Sequence, residues 1–163
     1  MNPASLTIVT KNKLHVLLVL RKDVPVWVLP GGGIETNETP ADCATRETFE
    51  ETGVRIKNVE HVATYTSTSR FSALTHVFHA EPFTCEIPYL SYKEVQAIRF
   101  FSIDALPERF FFVHRTILEE YLSDKKKPIE RPLSEISWKT VLSLFFSHPF
   151  HSVRFLWTKL LHS

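Results

Sequence analysis

Glu47, Glu50 and Glu51 crowd three carboxylates into little more than one helical turn, and all four glycines of the chain lie close by, at Gly31, Gly32, Gly33 and Gly53. On a helix advancing about 100° per residue, Glu50 stands about 60° and Glu51 about 40° from Glu47, on opposite sides, so the three project from one face. Such like-charge neighbours weaken a bare helix by roughly 0.2–0.5 kcal/mol per pair, and these sit toward the C-terminal end, where the macrodipole disfavours anions. A cation belongs there. Arg46 reaches Glu50 at i, i+4, but one guanidinium cannot neutralise three carboxylates, and an all-oxygen cluster suits a hard divalent cation such as Mg²⁺ or Mn²⁺. The run Pro30-Gly31-Gly32-Gly33 frees the backbone to turn main-chain groups toward such a metal or toward a phosphate.

Taken singly, each piece has a plain reading, the glycines as a turn and the glutamates as a solvated helix face with an ordinary glycine cap. Together they spell G-x5-E-x7-R-E-x-x-E-E-x-G, with Gly32, Glu38, Arg46, Glu47, Glu50, Glu51 and Gly53 at the fixed positions. At roughly 6% usage per residue type, seven fixed positions coincide on the order of once in 10⁸ to 10⁹ starts. Chance does not supply that in a chain of 163 residues.

The elements that must position these groups are legible too. Thr39 can cap a helix whose first position is Pro40, and Gly53 suits a left-handed C-terminal cap, which predicts a helix over 40–52. Upstream, SLTIVT, KLHVLLVLRK and VPVWVLP read as strands leading into the glycines. Downstream, VRIKNVEHVATYTSTSR, ALTHVFHAEPF and VQAIRFFSI read as strands, DALPERF as a turn and FVHRTILEEYL as an amphipathic helix. Strands, helix, strands, helix is the order of an α/β layered domain with a mixed sheet, here residues 1–123.

The polar stretch SDKKKPIERP, twice interrupted by proline, predicts a linker over 124–132 or an extended crossing on the surface. Over 133–163, Trp138, Val141, Leu142, Phe145 and Phe146 follow helical spacing and predict an amphipathic helical C-terminal extension. It would pack on the domain, mediate homodimerisation or make peripheral membrane contact, since no apolar run there is long enough to span a bilayer. A net charge of +1 leaves no basic footprint for nucleic acid, so an anionic ligand must be held by a local site. Cys43 and Cys85 fit neither a disulfide scaffold nor a zinc site, and MNPASLTIVTKNK lacks a signal-peptide pattern, so a cytoplasmic location is expected.

From Gly32 to Val54 the motif resembles the Nudix box, G-x5-E-x7-R-E-U-x-E-E-x-G-U with U aliphatic. The flanking VLLVLR, WVLPGGG and VQAIRFFSIDALPE are similar to those of Nudix hydrolases, which extends the resemblance over residues 4–122. Two positions depart from the pattern. Thr48 takes the first aliphatic place, and Asn37 stands where glycine is usual, asparagine being the residue that best tolerates a left-handed conformation after glycine.

The resemblance implies an α/β/α sandwich and a metal-dependent pyrophosphohydrolase. Its substrate would be a small nucleoside diphosphate linked to another moiety: a dinucleoside polyphosphate, a nucleotide sugar, ADP-ribose or a nucleoside triphosphate. Glu47 and Glu51 are implied as ligands of Mg²⁺ or Mn²⁺, with Glu50 as a further ligand, a backbone carbonyl of Gly31 or Gly32 assisting, and Arg46 and Glu38 orienting the set. The general base would be a box glutamate such as Glu50, or a carboxylate on a later loop, with Glu94 the candidate and Glu86 the reserve. Arg21 and Arg70 are candidates for substrate phosphates, and Trp27, Tyr65, Phe71 and Phe78 for stacking on a base. His76 and His79, three apart on a strand, point to opposite faces and are rejected as joint metal ligands. The alternative is a non-catalytic nucleotide-binding module on the same fold, against which the full carboxylate set argues.

Overall fold

The computed structural model describes residues 2–66, 73–84, 95–123 and 128–132. Its organising element is β1 (Ala4–Lys11), in which polar and apolar residues alternate so that Ser5 and Thr7 face one way, Leu6 and Ile8 the other, all of them buried. Along one side of β1 runs β6 (Thr75–Pro82), parallel to it from Ala4 opposite Thr75 to Val9 opposite Ala80. Along the other side two antiparallel partners share its length: β4 (Gly31–Gly33) pairs with Ala4–Leu6, and β2 (His15–Arg21) pairs with Thr10 and Lys11. Antiparallel pairs extend the sheet in both directions, β2 with β3 (Trp27–Val28) and β7 (Val95–Ser102), and β6 with β5 (Ile56–Thr66). The far edge is β8 (Ile129–Pro132), parallel to β5. The sheet is mixed, as expected.

Among the described residues, one helix covers each face. α1 spans Pro40–Thr52, the predicted range, with the Thr39 hydroxyl accepting from the Asp42 N–H and Gly53 at φ 67° closing the C-terminus. It lies on the hydroxyl side of β1, where Ser5 Oγ donates to the Pro40 carbonyl at 2.7 Å and Thr7 Oγ1 to the Ala44 carbonyl at 3.2 Å. Buried polar side chains are tolerated there because each has a partner. α2 (Phe112–Ser123) covers the opposite face, packing Val113, Ile117 and Leu118 against Leu6, Ile8, Tyr65 and Val77. The result is an α/β/α sandwich whose α1 face carries the glutamates.

One expectation is revised and one made specific. Gly31–Gly33 is a short strand rather than a turn, because pairing with β1 sets a backbone that has no side-chain pattern of its own. Within 124–132, expected as a linker or an extended crossing on the surface, Ile129–Pro132 forms β8; an edge strand tolerates proline and polar residues, and Arg131 fastens this one, with Nη2 2.6 Å from Glu120 Oε1 and the guanidinium over the Tyr65 ring. The extension over 133–163 lies outside the described residues, as do Arg70, Phe71, Glu86 and Glu94. Among the described residues no helix is long and apolar enough to cross a membrane.

Candidate active site

The site is built where α1 meets β4. Asn37, at φ 67°, turns the chain between the glycine strand and the helix, which brings Glu38 back over α1. Arg46 then grips Glu38 with two bonds, Nε to Oε1 at 2.8 Å and Nη2 to Oε2 at 3.0 Å, while the Glu35 N–H donates to Glu38 Oε2 at 3.0 Å. These bonds hold the Glu38 carboxyl down at about 2, the Arg46 fork being the larger cause, and the same pairing raises the guanidinium above its ordinary value. Arg46 does more than pair with Glu38. Its Nη1 bridges Glu47 Oε1 at 2.8 Å and Glu50 Oε2 at 3.1 Å, and its Nη2 donates to the Gly33 carbonyl at 3.2 Å. One planar cation therefore fixes three carboxylates and the glycine strand in a single frame.

Two glycines complete the frame. The Gly31 N–H donates to Glu51 Oε2 at 3.0 Å. The Cα of Gly32 faces the Glu47 carboxylate so closely that a Cβ placed there would lie 2.3 Å from Oε1. Glu47 is well covered and Glu50 mostly exposed, their side chains being 18% and 57% accessible, so the carboxylates run from the glycine strand outward to solvent. Cys43 is buried beneath β4 with Sγ 3.4 Å from the Gly33 carbonyl and 3.7 Å from that of Gly32; burial, with the charge of Glu38, pushes its thiol up, so it stays protonated.

The donors that face this frame are carboxylate oxygens and strand carbonyls, which match a hard divalent cation rather than a thiophilic one. The cradle at Gly32 fits that match, since any side chain there would occupy the space of the Glu47 carboxylate. As they stand, no three His, Cys, Asp or Glu side chains among the described residues are gathered tightly enough to enclose an ion, because Arg46 Nη1 bridges Glu47 and Glu50 while Glu51 is turned to the Gly31 amide.

With this geometry in view, known proteins place the chain. The family model for the NUDIX domain matches residues 1–121. The chain belongs to the Nudix family. A MutT-like protein from Streptomyces ambofaciens is 36% identical over 75 residues, 46% of this chain and 48% of that protein. An NAD-capped RNA hydrolase from Pseudomonas aeruginosa is 31% identical over 108 residues, 66% of this chain and 38% of that protein. Among solved structures, a NUDIX hydrolase from Nitrosomonas europaea superposes with a TM-score of 0.68 at 25% identity, covering 80% of this chain and 79% of that one. The chain spans about half the length or less of the curated relatives it matches.

Within this Nudix fold Glu38, Arg46, Glu47, Glu50, Glu51, Gly31 and Gly32 come together. Arg21 holds Asp23 through a fork with Nε–Oδ1 at 2.8 Å and Nη2–Oδ2 at 2.6 Å. Burial works to raise the Asp23 carboxyl, but this fork and the Val24 N–H hold it below its usual value. Of the aromatic candidates, Tyr65 is fully buried with its hydroxyl on Glu120 at 2.6 Å, and Phe78 is buried against the His61 ring, so neither presents a face to a base. Trp27 packs edge-on against Phe101. His76 and His79 diverge as expected, His76 toward His61 and His79 onto Thr10 and Tyr121.

Sequence reasoning missed the carbonyl of Gly33 as a partner of Arg46, because main-chain contacts leave no trace in residue type. Thr48, which departs from the aliphatic pattern of the box, is buried with its hydroxyl donating to its own helix at the Ala44 carbonyl, 2.7 Å away, which lets a polar residue fill that place.

Proposed function

We propose that this Nudix chain is a metal-dependent pyrophosphohydrolase acting on a nucleoside diphosphate linked to another moiety. The observation that carries the reading is the frame centred on Arg46, which holds Glu38, Glu47 and Glu50 together against a glycine strand that has room for Glu47 and an amide for Glu51. Glu47, Glu50 and Glu51, with the Gly31 or Gly32 carbonyl, would hold Mg²⁺ or Mn²⁺. Bound there, the cation supplies Lewis acidity toward a diphosphate and lowers the pKa of water.

The chain's own groups do the rest. Arg46 and Glu38 keep the carboxylates oriented before substrate arrives, so that little reorganisation is needed during the reaction. Glu50, the most solvent-exposed of the three on α1, or Glu94 from the later segment, takes the proton from the attacking water. The products are a nucleoside monophosphate and the phosphorylated remainder. No global positive field draws the substrate in, since net charge is +1, so affinity for the diphosphate resides in the site itself. We place the chain in the cytoplasm.

A product-resolved screen with Mg²⁺ or Mn²⁺, over dinucleoside polyphosphates, nucleotide sugars, ADP-ribose and nucleoside triphosphates, tests this. Release of mononucleotide from at least one class is expected, and Glu51→Gln should abolish it while leaving the fold intact. A wild-type protein that releases none from the whole panel would sink the reading.

A further inference from the structure

Beside β3 the chain makes a short parallel ladder with the segment that leads into α2. Trp27 donates its N–H to the Arg109 carbonyl at 2.8 Å, and the Phe111 N–H donates to the Trp27 carbonyl at 2.9 Å, around the bridge between Trp27 and Phe110. The next rung of a parallel ladder would run from the Leu29 N–H to the Phe111 carbonyl. That carbonyl is taken, because it accepts the Arg115 N–H at 3.0 Å and so starts α2. The Leu29 amide instead donates to the Nδ1 of His114, at 3.0 Å. An imidazole nitrogen thus stands where the helix has withdrawn a backbone acceptor.

The position matters because Leu29 is two residues from Gly31 and the intervening residue is a proline. Leu29, itself buried, is held through its N–H by His114; the Pro30 carbonyl is held by the Thr7 N–H at 2.9 Å; and the Gly31 N–H is delivered to Glu51 at 3.0 Å. Three consecutive residues are anchored at three points, and the His114 anchor is the one that ties the glycine strand to α2, across the sheet from α1. We propose that His114 is a positioning residue for the site, its Nδ1 holding the Leu29–Gly31 segment at the register that presents the Gly31 amide and the Gly32 cradle to Glu51 and Glu47.

The chemistry is suited to the role. Burial, aided by the charge of Arg21, pushes the imidazole down to about 3, so the ring is neutral at ordinary pH. A neutral ring that accepts at Nδ1 carries its proton on Nε2, which fixes a single tautomer. Nothing in the role requires His114 to touch substrate or metal.

The test compares wild type with His114→Asn, whose amide oxygen can replace Nδ1, and His114→Leu, which fills the space without an acceptor. Mn²⁺ binding to the protein is titrated by electron paramagnetic resonance, and amide exchange at Leu29 and Gly31 is followed by NMR. The Leu variant should weaken Mn²⁺ binding by roughly tenfold, the scale seen for partners that orient metal ligands, and should speed exchange at both amides; the Asn variant should restore most of both. Unchanged Mn²⁺ binding and Gly31 exchange in the Leu variant overturns the proposal, and so does an Asn variant as impaired as Leu. Should the Leu variant fail to fold, the wild-type ¹⁵N spectrum decides, since a proton on Nδ1 of His114 excludes the acceptor role. The role rests on the metal-site reading only for its Mn²⁺ arm: a wild type that binds no Mn²⁺ sinks that reading, and the amide-exchange comparison still decides for His114.

Discussion

Replacing each of the three strand glycines by alanine should give three different outcomes. At Gly32 the new Cβ would lie 2.3 Å from Glu47 Oε1, whereas ordinary contact begins near 3.4 Å, so the carboxylate must retreat by about 1 Å. Its retreat is cheap for folding, because the displaced atoms end a flexible side chain and Gly32 does not adopt a positive φ. For chemistry it is costly: a misplacement of about 1 Å in a catalytic frame lowers rates by roughly 10²-fold, or about 2.7 kcal/mol in activation free energy. Gly33→Ala meets nothing within 4 Å and should be neutral. Gly31→Ala combines φ 155° with a Cβ 2.2 Å from the Ser5 carbonyl oxygen, which is backbone and cannot step aside, so it should destabilise the fold itself. Mononucleotide release and thermal melting, measured on all three, separate the cases. If Gly32→Ala turns over as fast as Gly33→Ala, the assignment of Glu47 to the reacting frame is wrong.

Two further outcomes are expected. Arg46→Lys puts a point charge where a planar fork serves Glu38, Glu47, Glu50 and Gly33, so turnover should fall by roughly 10- to 100-fold with the fold retained, as steady-state kinetics and circular dichroism would show. Glu38, held at about 2 against an ordinary 4.5, contributes stability that is fully present above about 4.5 and lost as pH falls toward 2; melting temperature measured down that range should therefore drop, and Glu38→Gln should flatten this part of the curve.

Where local chemistry decides the conformation, the sequence and the structure agree. Thr39, Pro40 and Gly53 mark both ends of α1, and Asn37 takes the left-handed turn that its residue type suggests. The carboxylates gather because helical spacing alone puts them on one face. What escaped was decided by distant partners. Gly31–Gly33 carries no alternation to betray a strand, and IERP becomes β8 only because Tyr65 and Glu120 receive Arg131 from two other elements. Arg21 ends its strand as the sequence suggested and forms a fork with Asp23, two residues away. His114 reads as one more residue of an amphipathic helix, and its importance depends on which carbonyl α2 uses for its first turn.

The parallel pairing of β1 with β6 also bears on how the chain comes together during synthesis. Ala4 and Thr75 are opposite each other in the sheet, although 71 residues separate them, and β1 touches β2, β4, β6 and α1. At roughly 5–20 residues per second a ribosome needs about 4–14 s to reach β6 after β1 has been made. Until then β1 can hold only its antiparallel neighbours β2 and β4, and α1 has half a sheet on which to settle. The glutamate frame, built on that helix, gains its full backing only once β6 has been made, so a nascent chain stalled before Thr75 would carry the complete motif on an incomplete sheet.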